Sequence, residues 1–235
     1  MKNSALIISC EHAVNSIPEP YKVLFEPFES LLDSHQGIDF GALDVALHFK
    51  EVFACELIQS YTSRLLIDYN RSLSNSCFSV VTKKLSAQEK QEIITQYYVP
   101  YRQSVISHIE KHLEQGTPVI HLSIHSFTPV LNTKVRNADI AFLYDPYRTL
   151  EKIFAKEWQI ELKRQFKEYR VKMNYPYKGI SDGFITALRK KYSPEEYVGI
   201  EIELNQALTR SEFSLINLKD SLVKSYLNLK VPKLF

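Results

Sequence analysis

Imidazoles and carboxylates recur in this chain at positions where a divalent metal could be held for hydrolytic chemistry. His12 follows the apolar run Ala5-Leu6-Ile7-Ile8, inside Cys10-Glu11-His12-Ala13-Val14-Asn15. A strand end fixes an imidazole while the loop beyond it leaves a coordination position open; the competing reading is a histidine that caps a loop. In His121-Leu122-Ser123-Ile124-His125-Ser126-Phe127, period-two alternation puts His121, Ser123 and His125 on one face of a strand. His125, nearest the carboxyl end, is the better ligand, and the deeper His121 reads as a core histidine or a partner behind a ligand. Glu201 and Glu203 also share a face, and burying both is costly unless a metal, cations or a shared proton compensates. An edge strand with a solvated face is the alternative there. In Ser63-Arg64-Leu65-Leu66-Ile67-Asp68-Tyr69-Asn70-Arg71 two guanidinium groups flank an apolar segment. Such groups fork onto a substrate carboxylate or steady a developing oxyanion, or else form a structural Arg–Asp pair through Asp68.

The elements that must carry these residues alternate between strands and helices. Ala5 to Ser9, Leu57-Ile58, Leu65 to Ile67, Val119 to Ile124, Ile140 to Leu143, Val171 to Met173 and Val198 to Leu204 read as strands. Helical spacing marks 40–54, 150–169 and 211–227, and the stretch 86–115, which Pro100 breaks or kinks. Ser86-Ala87-Gln88-Glu89 is a capping box. This order predicts one α/β domain over residues 1–235 with a largely parallel sheet and its chemistry at the carboxyl ends of the strands.

Composition narrows the field. Twenty-nine basic and 27 acidic side chains leave a net charge of +2, so no global field selects nucleic acid or an anionic membrane. The N-terminal apolar run is too short for a secretory signal, and no stretch reaches transmembrane length. Cys10, Cys55 and Cys77 are odd in number without paired close spacing, which fits a reducing cytoplasm. Cys10 is a poor nucleophile because Glu11 beside it raises the thiol pKa. Neither Ser123 nor Ser126 sits in a Gly-x-Ser-x-Gly elbow. His48, His108 and His112 fall on helical patterns and read as solvated surface, whereas His35 could reach a pocket.

Taken in chain order, the motifs have a family likeness. Ser9-Cys10-Glu11-His12-Ala13-Val14-Asn15-Ser16-Ile17-Pro18 resembles the opening motif of the N-formylglutamate amidohydrolase family. The likeness continues through His35-Gln36-Gly37-Ile38-Asp39-Phe40-Gly41-Ala42, Ser63 to Arg71, His121 to Phe127, Asn174-Tyr175-Pro176-Tyr177-Lys178-Gly179 and Gly199 to Asn205, nearly the whole chain. Arg64 to Arg71 also looks like the substrate-binding segment of the aspartoacylase and carboxypeptidase-like zinc hydrolases. That wider group implies a mixed, largely parallel sheet flanked by helices, the zinc-exopeptidase-like (phosphorylase/hydrolase-like) fold. The resemblance implies one Zn2+ ion held by His12 and His125, with Glu203 as general base and Arg64 polarising the scissile carbonyl. It further implies that Asn70 and Arg71 hold the substrate carboxylate and that Tyr177 contacts substrate. The related hydrolases carry His-x-x-Glu at the first ligand pair, where this chain has His12-Ala13-Val14-Asn15. Asn is a poor zinc ligand, so Asp39 or Glu11 becomes the third, Asp39 being preferred because a carboxylate ordered before a helix start is readily aimed. Asn15 would bond substrate or orient His12. The expected activity is hydrolysis of the N-acyl bond of a small acidic N-acyl amino acid such as N-formylglutamate, releasing formate and glutamate. The alternative is an anion-binding protein on the same fold that has lost its metal.

Overall fold

Strands form where β-branched and aliphatic residues alternate or run together, and helices where apolar residues recur every three to four positions. The computed structural model describes residues 4–74 and 76–229. Its strands are β1 (Ala5–Cys10), β2 (Glu56–Gln59), β3 (Val119–Phe127), β4 (Val130–Leu131), β5 (Lys134–Val135), β6 (Ile140–Leu143), β7 (Val171–Met173) and β8 (Tyr197–Asn205). The helices are α1 (Lys22–Phe25), α2 (Glu29–Leu32), α3 (Ala42–Phe53), α4 (Ala87–Ile93), α5 (Val99–Glu114), α6 (Thr149–Gln165), α7 (Phe184–Lys191), α8 (Gln206–Thr209) and α9 (Glu212–Leu227). A six-stranded sheet runs β2-β1-β3-β8-β6-β7, and β4 with β5 makes a separate hairpin. Neighbours in the sheet are parallel except at β8–β6, so the sheet is mixed and largely parallel, as expected.

The two faces of the central strands differ. Ile8, Ile120, Leu122, Ile124, Val198, Ile200, Ile202 and Leu204 make one face uniformly apolar, and it packs in the same core as Phe49 of α3, Trp158 of α6 and Leu222 of α9. On the other face Ile7, Val119 and Tyr197 are apolar at the amino ends and join a core with Val105 and Ile109 of α5 and Leu188 of α7. Toward the carboxyl ends that second face turns polar: Ser9, His121, Ser123, His125, Glu201 and Glu203 are all buried there. Parallel register pairs His125 with Glu203 and Ser123 with Glu201. Residues opposite each other in neighbouring strands project to the same side, so the imidazole and both carboxylates are set side by side.

One local expectation fails for an identifiable reason. Leu65 to Ile67 is not a strand. Ser63 Oγ accepts from Leu65 N and Asp68 Oδ1 from Asn70 N, so short polar side chains take up backbone N–H groups and hold the segment in turns. The break expected at Pro100 is present: the stretch divides into α4, a π-helical turn at Ile94–Tyr98 and α5, with Pro100 in the first turn of α5. The Ser86–Glu89 capping box is present in both directions. Helix α7 and the β4–β5 hairpin have no counterpart in the sequence reading. No helix among the described residues is long and apolar enough to cross a membrane.

Candidate active site

His12 lies two residues past the end of β1, His125 near the end of β3, and Asp39 in the turn leading into α3. These segments converge. Asp39 Oδ2 is 3.2 Å from His12 Nδ1 and 2.9 Å from His125 Nδ1, and the ring centroids are 4.9 Å apart. The backbone holds the carboxylate in place: Asp39 N donates to His12 O, and Ser126 N donates to Asp39 Oδ2. Each imidazole turns its far nitrogen toward another carboxylate. His12 Nε2 lies 2.8 Å from Asp68 Oδ1, and His125 Nε2 lies 3.2 Å from Glu11 Oε2. A carboxylate behind each ring fixes its orientation and leaves both Nδ1 atoms facing Asp39.

Arg64 completes the cluster, donating to Asp68 Oδ2 at 2.7 Å and to Asp39 Oδ1 at 3.4 Å. Burial alone would raise Asp39 and Asp68. The charge and hydrogen bonds of His12 with His125 and Arg64, and of Arg64 with His12, overcome it and hold both carboxylates far below their ordinary range. Burial likewise opposes charge on His125, but hydrogen bonds to Asp39 and Glu11 prevail and raise it well above an ordinary imidazole.

Glu203 is the exception among these paired groups. Its Oε2 is buried without a hydrogen-bond partner among the described residues. Burial pushes its carboxyl up to about 8; His125 pulls the other way, while Asp39 and Glu201 add to the rise. β8 is an inner strand of the sheet, which removes the reading of Glu201 and Glu203 as a solvated edge pair. His121 is a core histidine, held between Tyr197 Oη at 2.7 Å and Ser9 Oγ at 2.8 Å, and burial lowers it to about 4.

Around the cluster lies a cavity of about 380 Å3 lined by His12, Asp39, Arg64, His125 and Glu203 together with Arg71 and Lys178. Asn70 and Tyr177 line it as well. Arg71 donates to the Asp182 carbonyl at 2.7 Å. Asn70 Oδ1 accepts from Phe184 N at 2.7 Å, at the start of α7, and its amide nitrogen lies 3.3 Å from His125 Nε2. Tyr177 and Lys178 are carried by a loop pinned to the end of β6. Asn174 Oδ1 accepts from both Tyr144 N and Gly179 N, and a Cβ on Gly179 would meet Tyr144 backbone at 2.3 Å. Only glycine permits that approach.

Asn15 is a correction. Its amide donates to Asp33 at 2.7 Å and it does not line this cavity, because the chain turns away after His12 and bonds Ser63 N to Ser16 O. Glu11 is also displaced from the ligand position. It accepts from Ser9 Oγ and Ser123 Oγ, each at 2.6 Å, and from Tyr101 Oη, which places it behind His125. His48 and His112 are half-buried beside Asp220 and Glu56, away from the site. Two residues carry more than the sequence reading gave them. Asp68 bridges Arg64 and His12, and Lys178 joins the cavity from within a string already noted for Tyr177. A carboxylate four residues after Arg64 signals a pair with it, but nothing local signals His12, 56 positions away.

His12, Asp39 and His125 form a buried group able to hold a metal ion, each offering one ligand atom, with those atoms all within 4.8 Å of one another. Two imidazole nitrogens with a carboxylate oxygen suit a zinc-type site that keeps a position open. The unpartnered Glu203 oxygen beside it fits the same reading.

The sequence profile of the N-formylglutamate amidohydrolase family matches residues 4–210. The chain belongs to that family. No match was found among curated protein sequences. Among solved structures, the gene product Atu2144 from Agrobacterium tumefaciens superposes with a TM-score of 0.81 at 27% identity, over 97% of this chain and 93% of that one. An N-formylglutamate amidohydrolase from Ralstonia eutropha JMP134 superposes with a TM-score of 0.73 at 20% identity, over 99% of this chain and 94% of that one, a likeness of fold.

Proposed function

We propose that this member of the family is a zinc-dependent hydrolase that cleaves the amide bond of a small N-acyl amino acid bearing a carboxylate, N-formylglutamate being the family's own example. One observation carries the reading: two Nδ1 atoms and one carboxylate oxygen converge beside an unpartnered buried Glu203 and a guanidinium, in a hollow that also holds Arg71 and Lys178. His12, His125 and Asp39 would hold the ion. Zinc in such a set supplies Lewis acidity, which brings the pKa of water from ~15.7 to roughly 7 and polarises a carbonyl.

The chain's own residues supply the rest. Glu203 takes the proton of the attacking water and delivers it to the leaving nitrogen. Burial keeps Glu203 protonated up to about 8 in the metal-free protein, against the pull of His125, and a divalent cation held beside it would favour the carboxylate that accepts the water proton. Arg64 faces the developing oxyanion, a type of contact whose loss costs about 10²–10³ in rate. Arg71, Asn70 and Lys178 meet the substrate carboxylate, Arg71 in a fork geometry that an anionic amide fits and a neutral one does not. Tyr177 lies against the substrate from the cavity wall. The cluster is too buried and too tightly paired to serve as a surface anion patch.

The test is a panel of N-formyl amino acids assayed with the purified protein, with added zinc and after chelation. Turnover of acidic members, lost on chelation and restored by zinc, is the expected outcome. Binding of the anions without turnover at any metal load would replace the hydrolase by a binding protein.

A further inference from the structure

The candidate ligand set borders two hollows. Beside the cavity that holds Glu203, Arg71 and Lys178 lies a second of about 440 Å3, and the two share Asp39, Arg64, Ser126 and Tyr177. Polar groups dominate the second, His35, Gln36, Thr128 and Gln206 among them, and Arg136 stands on its wall. Arg136 follows the β4–β5 hairpin and is half-buried. Its guanidinium lies over the rings of Phe127 and Tyr177, 5.9 and 5.1 Å from their centroids, and donates to Thr128 Oγ1 at 3.3 Å. Phe127 is the last residue of β3, so these contacts tie the cation to the strand that carries His125. Arg64, Arg148, Arg164, Arg170 and Arg189 each pair with a carboxylate, whereas Arg136 pairs with none among the described residues. The acids of this hollow, Asp39 and Asp68, are taken up by Arg64 and His12. A guanidinium fixed in place with donors to spare and no counter-ion is a receptor for a carboxylate.

Cations thus stand on both sides of the reacting position. Arg71 and Lys178 line the first hollow, Arg136 lines the second, and Arg64 is common to both. An N-acyl amino acid held with its carboxylate at Arg71 and its carbonyl at Arg64 sends its acyl substituent toward the second hollow. For a formyl group that substituent is a hydrogen atom, which leaves Arg136 without a role. An alkyl chain would strip water from the polar wall and return no hydrogen bond. We propose that Arg136 is a specificity-determining residue for the acyl group, and that the preferred substrate carries a short acyl chain ending in a carboxylate, an amide between a dicarboxylic acid and an amino acid. This rests on the hydrolase reading above. The reaction is unchanged in kind: water adds its oxygen to the carbonyl carbon, the C–N bond breaks, the proton passes to nitrogen, and a dicarboxylate and a free amine leave.

The test compares kcat/KM of the zinc-loaded protein for N-malonyl-, N-succinyl- and N-glutaryl-glutamate with the same compounds bearing a carboxamide in place of the distal acyl carboxylate, and with N-formylglutamate. A charged hydrogen bond to Arg136 is expected to favour the best of the acids over its own amide by about tenfold to a hundredfold, and that acid is expected to exceed N-formylglutamate. Arg136→Gln is expected to bring the acid-to-amide ratio to about one, and Arg136→Lys to keep part of it. Because a ratio is read, a general loss of activity in a variant does not imitate this result. Should Arg136 receive the side-chain carboxylate of the amino acid instead, Arg136→Gln would lower the ratio of N-formylglutamate to N-formylglutamine and leave the acyl ratio alone. That outcome, an acid-to-amide ratio near one in the unaltered protein, or a maximum at formyl overturns the acyl assignment while leaving the hydrolase intact. Absence of turnover across the whole series, N-formylglutamate included, overturns both.

Discussion

In the mechanism proposed above the chemistry turns on Glu203, which alone in the cluster has a buried oxygen without a hydrogen-bond partner among the described residues. Glu203→Gln preserves shape and removes the proton acceptor. Turnover is expected to fall about 10²–10⁴-fold with metal content unchanged, and retention of most activity would remove Glu203 from the mechanism. The same substitution has a signature without substrate. In the chelated protein the folded state holds the Glu203 proton up to about pH 8, against 4.5 ordinarily, chiefly through burial. Native protein then binds more protons than the unfolded chain between those values, so stability is full below the lower one and drains away as pH rises through the upper one. Chelated Glu203→Gln should therefore melt higher than chelated wild type at pH 8 and alike near pH 4. Equal melting temperatures at pH 8 would show that the carboxyl is not held protonated. His12 and His125 are readable as ligand candidates because each sits at or near the end of an apolar run, whereas only the family resemblance separates Glu203 from Glu201 as the base. The failure at Asn15 has the opposite origin: proximity in sequence to His12 says nothing about where the chain turns next, and it turns toward Asp33.

At the scale of elements, β3 and β8 set the spacing of the site, and the loop leading into α7 lines it with Ser181 and Asp182. Helix α7 is fastened from below. Arg189 donates to Glu151 Oε1 at 3.0 Å and to the Gly199 carbonyl at 2.9 Å, and also bonds the Gly179 carbonyl that anchors the Tyr177–Lys178 loop. Glu151 is fully buried between Arg189 and Arg148. Removing one member of such a set leaves uncompensated buried charge, and Glu151→Ala is expected to cost about 3–5 kcal/mol. Denaturant unfolding measures it; a loss below about 1 kcal/mol would mean that water or rearrangement satisfies the arginines. Elements with strong periodicity, such as α3 and β8, were legible. The segment Leu65 to Ile67 differs from the strand expected because a short apolar run looks the same in a buried turn as in a strand, and the hydrogen bonds that Ser63 Oγ and Asp68 Oδ1 accept from the backbone decide between them. Helix α7 escaped notice because Gly183 before it offers no side-chain cap; Asn70, far away in sequence, supplies the acceptor for Phe184 N.

For the whole molecule, three candidate ligands brought together from the loop after β1, from β3 and from the entry to α3 would make metal binding and folding one equilibrium. An ion that binds only the folded state stabilises it by about 4 kcal/mol at a thousandfold excess over Kd. Adding zinc to chelated protein is thus expected to raise Tm by several degrees, and His125→Ala to abolish the rise. An unchanged Tm with zinc would separate the fold from any metal. The chain's linear pattern determined the α/β class, the apolar strands, the near-zero net charge and a set of motifs in family order, because periodicity and composition are local properties that burial acts on directly. Only the tertiary structure decided that Asp39 rather than Glu11 faces both imidazoles, that Asp68 and Glu11 stand behind them, and that two hollows meet at Arg64. Those facts depend on which loops meet across the carboxyl edge of the sheet. Residues as distant as 12 and 68, or 11 and 125, acquire their partners only when strand order and register bring them together.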